Sequence, residues 1–336
     1  MTKYTKNPFI ISILFFLFSI IFLFIFFNKN SRDLLVEQIQ HRQQLSVRAG
    51  ANSISTLLDT IGKSSVILAD KPDQKTLDVF TKMWSDTGIS GLVVTDKNGI
   101  AIKNSNPQGI HDIGSDLSNR DYFNWALNAK DGTYKVFAPI VSKLGPTKGK
   151  YIITVSSPVF TNDQFNGVLT IAIPFSELIQ KYIQNIKVLD SSRVYLFTSK
   201  GEIIYSDLPE LTGKNIQNMF TTDFLGKDKV IEILLNELQK PDESKFKLAM
   251  LNPENNNLEP YLISSAPINI HDQLWKLMVV TSEKNLLAFT YKTFNKLILG
   301  VFVIAVLFII STLRISRNSG YHEAVKDEHK IHKITS

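Results

Sequence analysis

Two uncharged apolar runs, one near each end of the chain, limit most strongly how this sequence can fold. The first, FIISILFFLFSIIFLFIFF, covers residues 9–27, and the second, LILGVFVIAVLFIISTL, covers residues 297–313. A helix rises about 1.5 Å per residue, so the first run would span roughly 28 Å, close to the thickness of a bilayer's hydrocarbon core. The sequence therefore predicts transmembrane helices at residues 8–28 and 294–314.

A cleaved signal peptide is the alternative for the first run. Lys3 and Lys6 precede the run and fit the basic start of such a peptide. However, the run is longer than the usual apolar region of about 7–15 residues, and no small-residue cleavage pattern follows it. These two features favour an uncleaved anchor.

Charges beside the apolar runs predict the orientation. Residues 1–7 contain lysine and no acid, the segment from Arg314 to the C-terminus is basic on balance, and the two tails supply about +4 of the net charge of +6. Basic flanks favour the cytoplasm, so we expect both termini inside and the intervening domain periplasmic or extracellular. The middle is nearly neutral and shows no basic stripe, which argues against nucleic-acid binding. The absence of cysteine favours a bacterial envelope protein weakly.

Residues 29–75 carry the pattern of one long stalk helix. Apolar side chains recur at intervals that fit one face of a helix, although the spacing is irregular around Leu45. A helix of about 40 residues would be roughly 60 Å long. The stripe consists of Leu35, Ile39, Leu45, Ala49, Ile54, Leu58 and Ile61.

Two β-rich units follow the stalk, at residues 76–188 and 189–292. The first begins with ISGLVVTDKNGIAIKNS, which predicts a strand, a tight turn and a second strand. The second begins with the similar SRVYLFTSKGEIIYS and contains the helical segment GKDKVIEILLNELQK. Self-similarity over such a distance predicts a duplicated α/β module.

Several short elements resemble a known family. Arg120–Phe123 look like the "RxYF/RxWY" element of the double Cache extracytoplasmic sensors, while Ser157–Val159 and Gly167–Val168 look like that family's "s-P-v … G-V" strand pair. The resemblance covers about residues 8–313. It implies an α+β fold, with tandem PAS-like antiparallel sheets on a long N-terminal stalk helix flanked by two transmembrane helices.

The resemblance also implies a ligand in the membrane-distal module. The planar guanidinium of an arginine can donate two hydrogen bonds to one carboxylate, and aromatic rings beside it exclude water. Alternatively, the rings belong to the core and Arg120 pairs with Asp116 or Asp121. The candidate ligand-binding residues are Arg120, Tyr122, Phe123, Tyr134, Phe137 and Ser142.

Two departures from the family pattern bear on the ligand class. Members that bind amino acids place an aspartate where this chain has Ala172, and an aromatic and an acid where it has Ile140–Ser142. A buried ammonium without those partners would cost several kcal/mol. A small organic acid is therefore favoured, with a neutral ligand as the alternative.

No catalytic motif or cofactor-binding motif is visible in the sequence. His329 and His332 have helical ligand spacing, but they form a lone pair in a polar tail and predict no metal site. We therefore expect a membrane sensor that is not an enzyme.

The output of such a sensor is not encoded by residues 315–336. We expect a homodimer that acts through a cytoplasmic histidine kinase, diguanylate cyclase or chemoreceptor-type transmitter, or else the input part of a longer receptor. The alternative function is an envelope structural or assembly protein that uses the domain for protein–protein contact.

Overall fold

The computed structural model describes most of the chain. The described residues are 8–220, 226–252, 257–270, 273–288, 296, 299–300, 302–307 and 309–311. Gln38–Glu283 form one compact unit that contains both sheets, and the described residues on either side of it fall in a second unit.

A single helix, α1 (Pro8–Asp70), opens the described chain. It ends at Asp70, five residues short of the predicted end of the stalk, because the residue before Pro72 is disfavoured in helical conformation. Asp73 then caps the second helix, α2 (Gln74–Trp84), by accepting a hydrogen bond from Thr76 N at 3.0 Å.

Ten strands form two antiparallel sheets within the described residues. The first sheet has the order β2-β1-β5-β4-β3, and the second has the matching order β7-β6-β10-β9-β8. The α+β class and the duplication predicted from the sequence are confirmed. The strands are β1 (Gly91–Thr95), β2 (Ala101–Ser105), β3 (Lys135–Val141), β4 (Tyr151–Thr161), β5 (Gln164–Pro174), β6 (Arg193–Thr198), β7 (Ile203–Ser206), β8 (Ser244–Leu251), β9 (Leu258–Ile270) and β10 (Gln273–Ser282).

Three shorter helices complete the two modules: α3 (Asp121–Ala126), α4 (Phe175–Leu178) and α5 (Lys227–Gln239). We call β1–β5 with α3 the first module, and β6–β10 with α5 the second module. The helical segment predicted between the strands of the second repeat corresponds to α5 and is confirmed.

One face of each sheet packs against α1. The buried stripe of α1 joins one core with Leu92 and Leu169 of the first sheet and Val194 and Leu277 of the second. Each such side chain contributes about 1.5–3 kcal/mol when it is fully buried. Five residues on this face of α1 are completely buried: Val47, Ala51, Ile54, Leu58 and Ile61. The predicted stripe was right for Ile54, Leu58 and Ile61 and wrong for Leu45 and Ala49, which are exposed, because the buried face passes through Val47 and Ala51 instead.

Buried hydrogen bonds set the position of α1 along both modules. Gln43 Nε2 donates to Val279 O, and Gln43 Oε1 accepts from Thr281 Oγ1, both at 2.8 Å. In the first module, the hydroxyls of Ser65 and Ser157 lie 2.7 Å apart. Because sliding the helix would leave these groups unpaired, they fix its register.

The predicted membrane spans fall largely outside what the structure describes. The backbone of residues 8–28 belongs to α1, but most of the side chains between residues 9 and 31 lie outside the described set, as does much of 294–314. In the described part of the chain, no helix combines the length and apolar character that crossing a bilayer requires.

Candidate functional site

Arg120 is positioned by the turn that begins α3. The Asp116 carboxylate accepts hydrogen bonds from Ser118 N and Ser118 Oγ, at 2.9 and 2.7 Å, and these bonds lower the pKa of Asp116. Arg120 is the extended residue before the helix, and its Nη2 donates to Val141 O at 3.0 Å. No carboxylate among the described residues forms an ion pair with Arg120. The alternative in which it pairs with Asp116 or Asp121 is therefore wrong.

A cavity of about 60 Å³ lies on the face of the first sheet that points away from α1. The sheet forms its floor, and the start of α3 and the segment 142–147 form its walls. On the floor, Gly91 and Ala172 are direct cross-strand neighbours, and Thr154 faces Ala172 from the next strand. The small side chains at the centre of the floor leave the volume empty.

Tyr122 contributes a hydroxyl to this cavity from a largely buried side chain. The residue is 4% exposed, and its hydroxyl has no hydrogen-bond partner among the described residues. Burial raises the pKa of Tyr122 to about 12, with the nearby Arg120 guanidinium opposing the shift. The phenol is therefore protonated at neutral pH and can donate a hydrogen bond.

Two further buried oxygens in the cavity lining lack a partner. Asn104 is 8% exposed and Thr154 is 1% exposed, yet Asn104 Oδ1 and Thr154 Oγ1 accept or donate no hydrogen bond within the described residues. A buried polar atom without a partner costs about 1–3 kcal/mol. Such atoms beside an empty volume are what a polar ligand would satisfy.

Sequence reasoning missed Asn104 and Thr154. The other buried residues of β2 are Ala101 and Ser105, and β4 also buries Ser156 and Ser157, so a polar residue on these strands was no distinctive signal. Asp112 was missed as well. It lines the cavity, and its Oδ2 accepts a hydrogen bond from Gly145 N at 2.7 Å.

Three of the six predicted site residues line the cavity: Arg120, Tyr122 and Ser142. Ser142 also shapes the wall, because its Oγ donates to Leu144 O at 2.9 Å and lies 3.2 Å from Thr147 Oγ1.

The structure places Phe123, Tyr134 and Phe137 outside the cavity lining. Phe123 packs edge-on against Phe165, with ring centroids 6.1 Å apart. Phe137 packs behind Tyr122, at 6.2 Å between centroids. The Tyr134 hydroxyl donates to Asp59 Oδ1 of α1 at 2.7 Å.

An irregularity in β3 brings Ile140 to the cavity face of the sheet. Phe137 lies on the same face, because it pairs directly with Thr154, but it packs beside Tyr122 and outside the lining. The pairing of β3 with β4 shifts between Phe137 and Ile140, around Pro139. Such a shift changes which side chains point to a given face, and it brings Ile140 into the lining.

The cavity's charged groups favour an anion. Arg120 and Lys143 line it against the single acid Asp112. Lys143 Nζ donates to Asn119 Oδ1 at 2.9 Å and is exposed, whereas the Arg120 guanidinium has donors to spare. Among the described residues, no group of three or more histidines, aspartates or glutamates is arranged to hold a metal ion.

Comparison with known families gives one match that covers most of the chain. A family model described as "Cache domain" matches residues 31–289. No curated protein sequence matches this one significantly.

Solved structures with a similar fold include ligand-binding domains of receptors. The ligand-binding domain of the Pseudomonas fluorescens chemoreceptor CtaA, in complex with L-isoleucine, is 15% identical at a TM-score of 0.52, covering 77% of this chain and 98% of that one. The extracellular domain of the putative histidine kinase mmHK1S-Z3 is 12% identical at a TM-score of 0.54, covering 77% and 98%. Methyl-accepting Chemotaxis protein X is 16% identical at 0.52, covering 71% and 96%. At these identities the likeness concerns the fold.

Proposed function

Because this chain belongs to the double Cache family, we propose that it is an extracytoplasmic sensor whose small-molecule ligand binds in the cavity of the first module. One observation carries the proposal: Asn104 and Thr154, two residues of the cavity lining, each have a buried side-chain oxygen with no hydrogen-bond partner among the described residues. The described residues contain six such oxygens, and two of them belong to this one cavity lining.

The proposed ligand is a small carboxylate. Arg120 uses one donor on Val141 O and keeps others for a ligand, and the protonated Tyr122 hydroxyl adds a neutral donor beside it. Charge-assisted hydrogen bonds from a guanidinium to a carboxylate are about twice as strong as neutral ones. The candidate binding set remains Arg120, Tyr122 and Ser142 at the cavity, with Phe123 and Phe137 supporting them from behind.

An α-amino acid is a less favourable ligand here than in CtaA, whose complex contains L-isoleucine. Ala172 and Ile140 line the cavity at the positions where an acidic or polar partner for an ammonium was expected. Neither residue offers an ammonium a counter-charge, and the acid of the lining, Asp112, already accepts a hydrogen bond from Gly145 N.

We also propose that residues 8–28 and 294–314 anchor the domain in a plasma or inner membrane, with both tails cytoplasmic. The two apolar runs and their basic flanks support this arrangement. The proposed partition places the stalk at 29–75 and the modules at 76–188 and 189–292. A homodimer acting on a kinase, cyclase or chemoreceptor-type transmitter would complete the pathway, and the receptor types among the similar folds support such an output.

Thermal unfolding of the purified full-length chain in a panel of small carboxylates tests the ligand proposal. A ligand present at a hundredfold excess over its Kd stabilises the folded state by about 2.7 kcal/mol, which moves the melting temperature measurably. Arg120→Ala should abolish that shift and leave the unliganded melting temperature nearly unchanged, since Arg120 pairs with no described carboxylate. Lys148→Ala, at an exposed lysine outside the lining, is the matched control.

Two results would contradict the proposal. One is a panel in which no carboxylate shifts the melting temperature, which would favour the assembly function instead. The other is an Arg120→Ala variant that responds to carboxylates as the wild type does.

A further inference from the structure

The two unpartnered oxygens of the cavity lie on opposite sides of its floor. Asn104 is on β2 and Thr154 is on β4, and β1 and β5 lie between them in the sheet. Neighbouring strands are about 4.8 Å apart, so three spacings separate the two backbones by roughly 14 Å. One ligand group cannot satisfy both oxygens, and a ligand that fills the cavity therefore meets different chemistry at each end.

The Thr154 end is the end that holds a carboxylate. Arg120 donates to Val141 O. The preceding residue, Ile140, lines the cavity opposite Ile152 of β4, two residues from Thr154. The Tyr122 ring also packs against Phe137. Guanidinium, phenol and threonine hydroxyl are all hydrogen-bond donors, so this end is complementary to an anion.

The Asn104 end accepts hydrogen bonds. Asn104 Nδ2 donates to Ile110 O at 2.6 Å, which leaves Oδ1 as the free atom in the cavity lining. Flipping the amide would set Oδ1 against the Ile110 carbonyl, acceptor against acceptor, so the orientation is fixed. Only a ligand group that donates a hydrogen bond can satisfy this atom.

The ligand group that donates a hydrogen bond to Asn104 Oδ1 is uncharged. Its neighbours in the lining on β1 and β2 are uncharged: Gly91, Val93 and Ser105. Asp112, the acid of the lining, has one carboxylate oxygen held by Gly145 N. A buried ammonium needs a hydrogen-bonded counter-charge, whereas a hydroxyl or a carboxamide needs only an acceptor.

We propose that the ligand is an elongated monocarboxylate with a neutral hydrogen-bond donor, a hydroxyl or carboxamide, at the end opposite the carboxylate, and that Asn104 Oδ1 is the specificity-determining acceptor for this donor. The inference rests on the proposed function, because it requires Arg120 to hold the carboxylate.

Calorimetric titration of the full-length chain tests the inference with three matched series. The probes are straight-chain carboxylates of three to six carbons, either unsubstituted or with a terminal hydroxyl or a terminal ammonium. At the best chain length, the hydroxyl compound should bind at least about tenfold more tightly than its unsubstituted counterpart. The ammonium compound should bind no more tightly than the unsubstituted one.

Variants assign the preference to Asn104. Asn104→Leu should reduce the hydroxyl preference to a ratio near one while leaving the affinity for the unsubstituted carboxylate within about threefold. Asn104→Ser, which removes the amide with a smaller change in polarity, repeats the test if the leucine variant does not fold. Thr81→Val, at another buried and unpartnered hydroxyl outside the lining, should keep the full preference.

Failure of this inference can be told apart from failure of the proposed function. Equal binding of hydroxyl and unsubstituted compounds by the wild type, or tighter binding of the ammonium compound, would overturn the inference. A hydroxyl preference that survives in both Asn104 variants would also overturn it. If these compounds still bind in a manner that depends on Arg120, the proposed function stands. If no carboxylate binds, the proposed function fails and the inference fails with it.

Discussion

The two modules share one strand order but use the sheet face away from α1 differently. Strand pairing identifies matching positions, because both β1 and β6 have an irregularity at the same place, after Val94 and after Leu196. In the first module this face surrounds a cavity, and in the second it is covered by a packed apolar cluster under α5.

The difference lies in side-chain size at matching positions. Where the first sheet has smaller or polar residues, the second has larger ones, which are apolar or aromatic in four of five pairs, and the register assigns the pairs. A tyrosine and a methionine occupy volume that valine and threonine leave open. The matching pairs are Gly91 and Arg193, Val93 and Tyr195, Thr154 and Ile263, Thr170 and Met278, and Ala172 and Val280.

The helices over the two faces differ in the same sense. In the second module, α5 has 13 residues and buries Val230, Leu234 and Leu238. In the first, α3 has 6 residues, and Arg120 stands at its start. The comparison teaches that one copy of the duplicated fold has a packed core on this face, while the other leaves the cavity that we propose as the binding site.

The packed second module even accommodates a buried lysine by local pairing. Lys276 is completely buried, and its Nζ donates to Lys240 O at 2.8 Å and also to Asp242 O. Burial lowers the pKa of Lys276, with Glu237 opposing the shift. The ammonium thereby holds the chain that leaves α5.

The largest expected effect comes from opening the second module's core. Leu238→Ala removes a completely buried side chain under α5 and should lower the free energy of unfolding by about 2–5 kcal/mol. Urea unfolding of the full-length chain, followed by tryptophan fluorescence, measures the loss. Leu258→Ala, at a leucine that is 53% exposed in the same module, should change it by less than about 0.5 kcal/mol. Similar losses for both variants would contradict the division of roles.

A smaller loss of stability is expected at alkaline pH, where several tyrosines with raised pKa values ionise; the most buried one of each module allows the comparison. Burial is the main cause that raises the pKa of Tyr122 and of Tyr195 to about 12, against about 10 in an unfolded chain. Because the folded-state pKa is raised, this stability is fully present below pH 10 and is lost as pH rises from 10 to 12.

Each tyrosine should account for a loss of the order of 2 kcal/mol over that window. Melting temperatures measured from pH 8 to 12 should therefore fall steeply above pH 10, and Tyr122→Phe or Tyr195→Phe should flatten the curve. Only Tyr122→Phe should also weaken carboxylate binding. A wild-type melting temperature that does not fall up to pH 12 would show that the pKa of neither tyrosine is raised by folding.

The smallest expected change in stability comes from exchanging one matched pair of residues. Ala172→Val fills part of the cavity floor and should alter the unfolding free energy by less than about 1.5 kcal/mol, while reducing the ligand-induced melting shift. Val280→Ala makes the reverse change in the second module and should cost about 1–1.5 kcal/mol without affecting ligand response. If Val280→Ala instead weakens ligand binding, the site is not confined to the first module.

Much of the fold could be predicted from the sequence because its signals are local. The apolar stripe containing Ile54 and Leu58 predicted a helix that packs along one face, and both residues are completely buried in α1. The repeated hairpin pattern predicted two similar sheets, and their strand orders match. The end of α1 was placed too late because the effect of Pro72 on the residue before it was not taken into account.

The candidate site was predicted less completely, for reasons of side-chain direction. Arg120 and Tyr122 line the cavity as expected, whereas Phe123, on the same short helix, packs against Phe165 instead. Ile140 joins the lining through a register shift in β3 that alternation of residue types does not reveal. Asn104 and Thr154 were missed because their lack of partners becomes visible only when all surrounding groups are in place.

By itself the sequence determined that a long helix carries two copies of one β-rich module, since periodicity and self-similarity are properties of neighbouring residues. Only the tertiary structure decided which copy keeps a cavity. That outcome depends on residues such as Gly91, Thr154 and Ala172, which are far apart in the chain and meet across hydrogen-bonded strands. The volume left between them is a sum over the whole sheet face and the helix above it, and no local pattern encodes it.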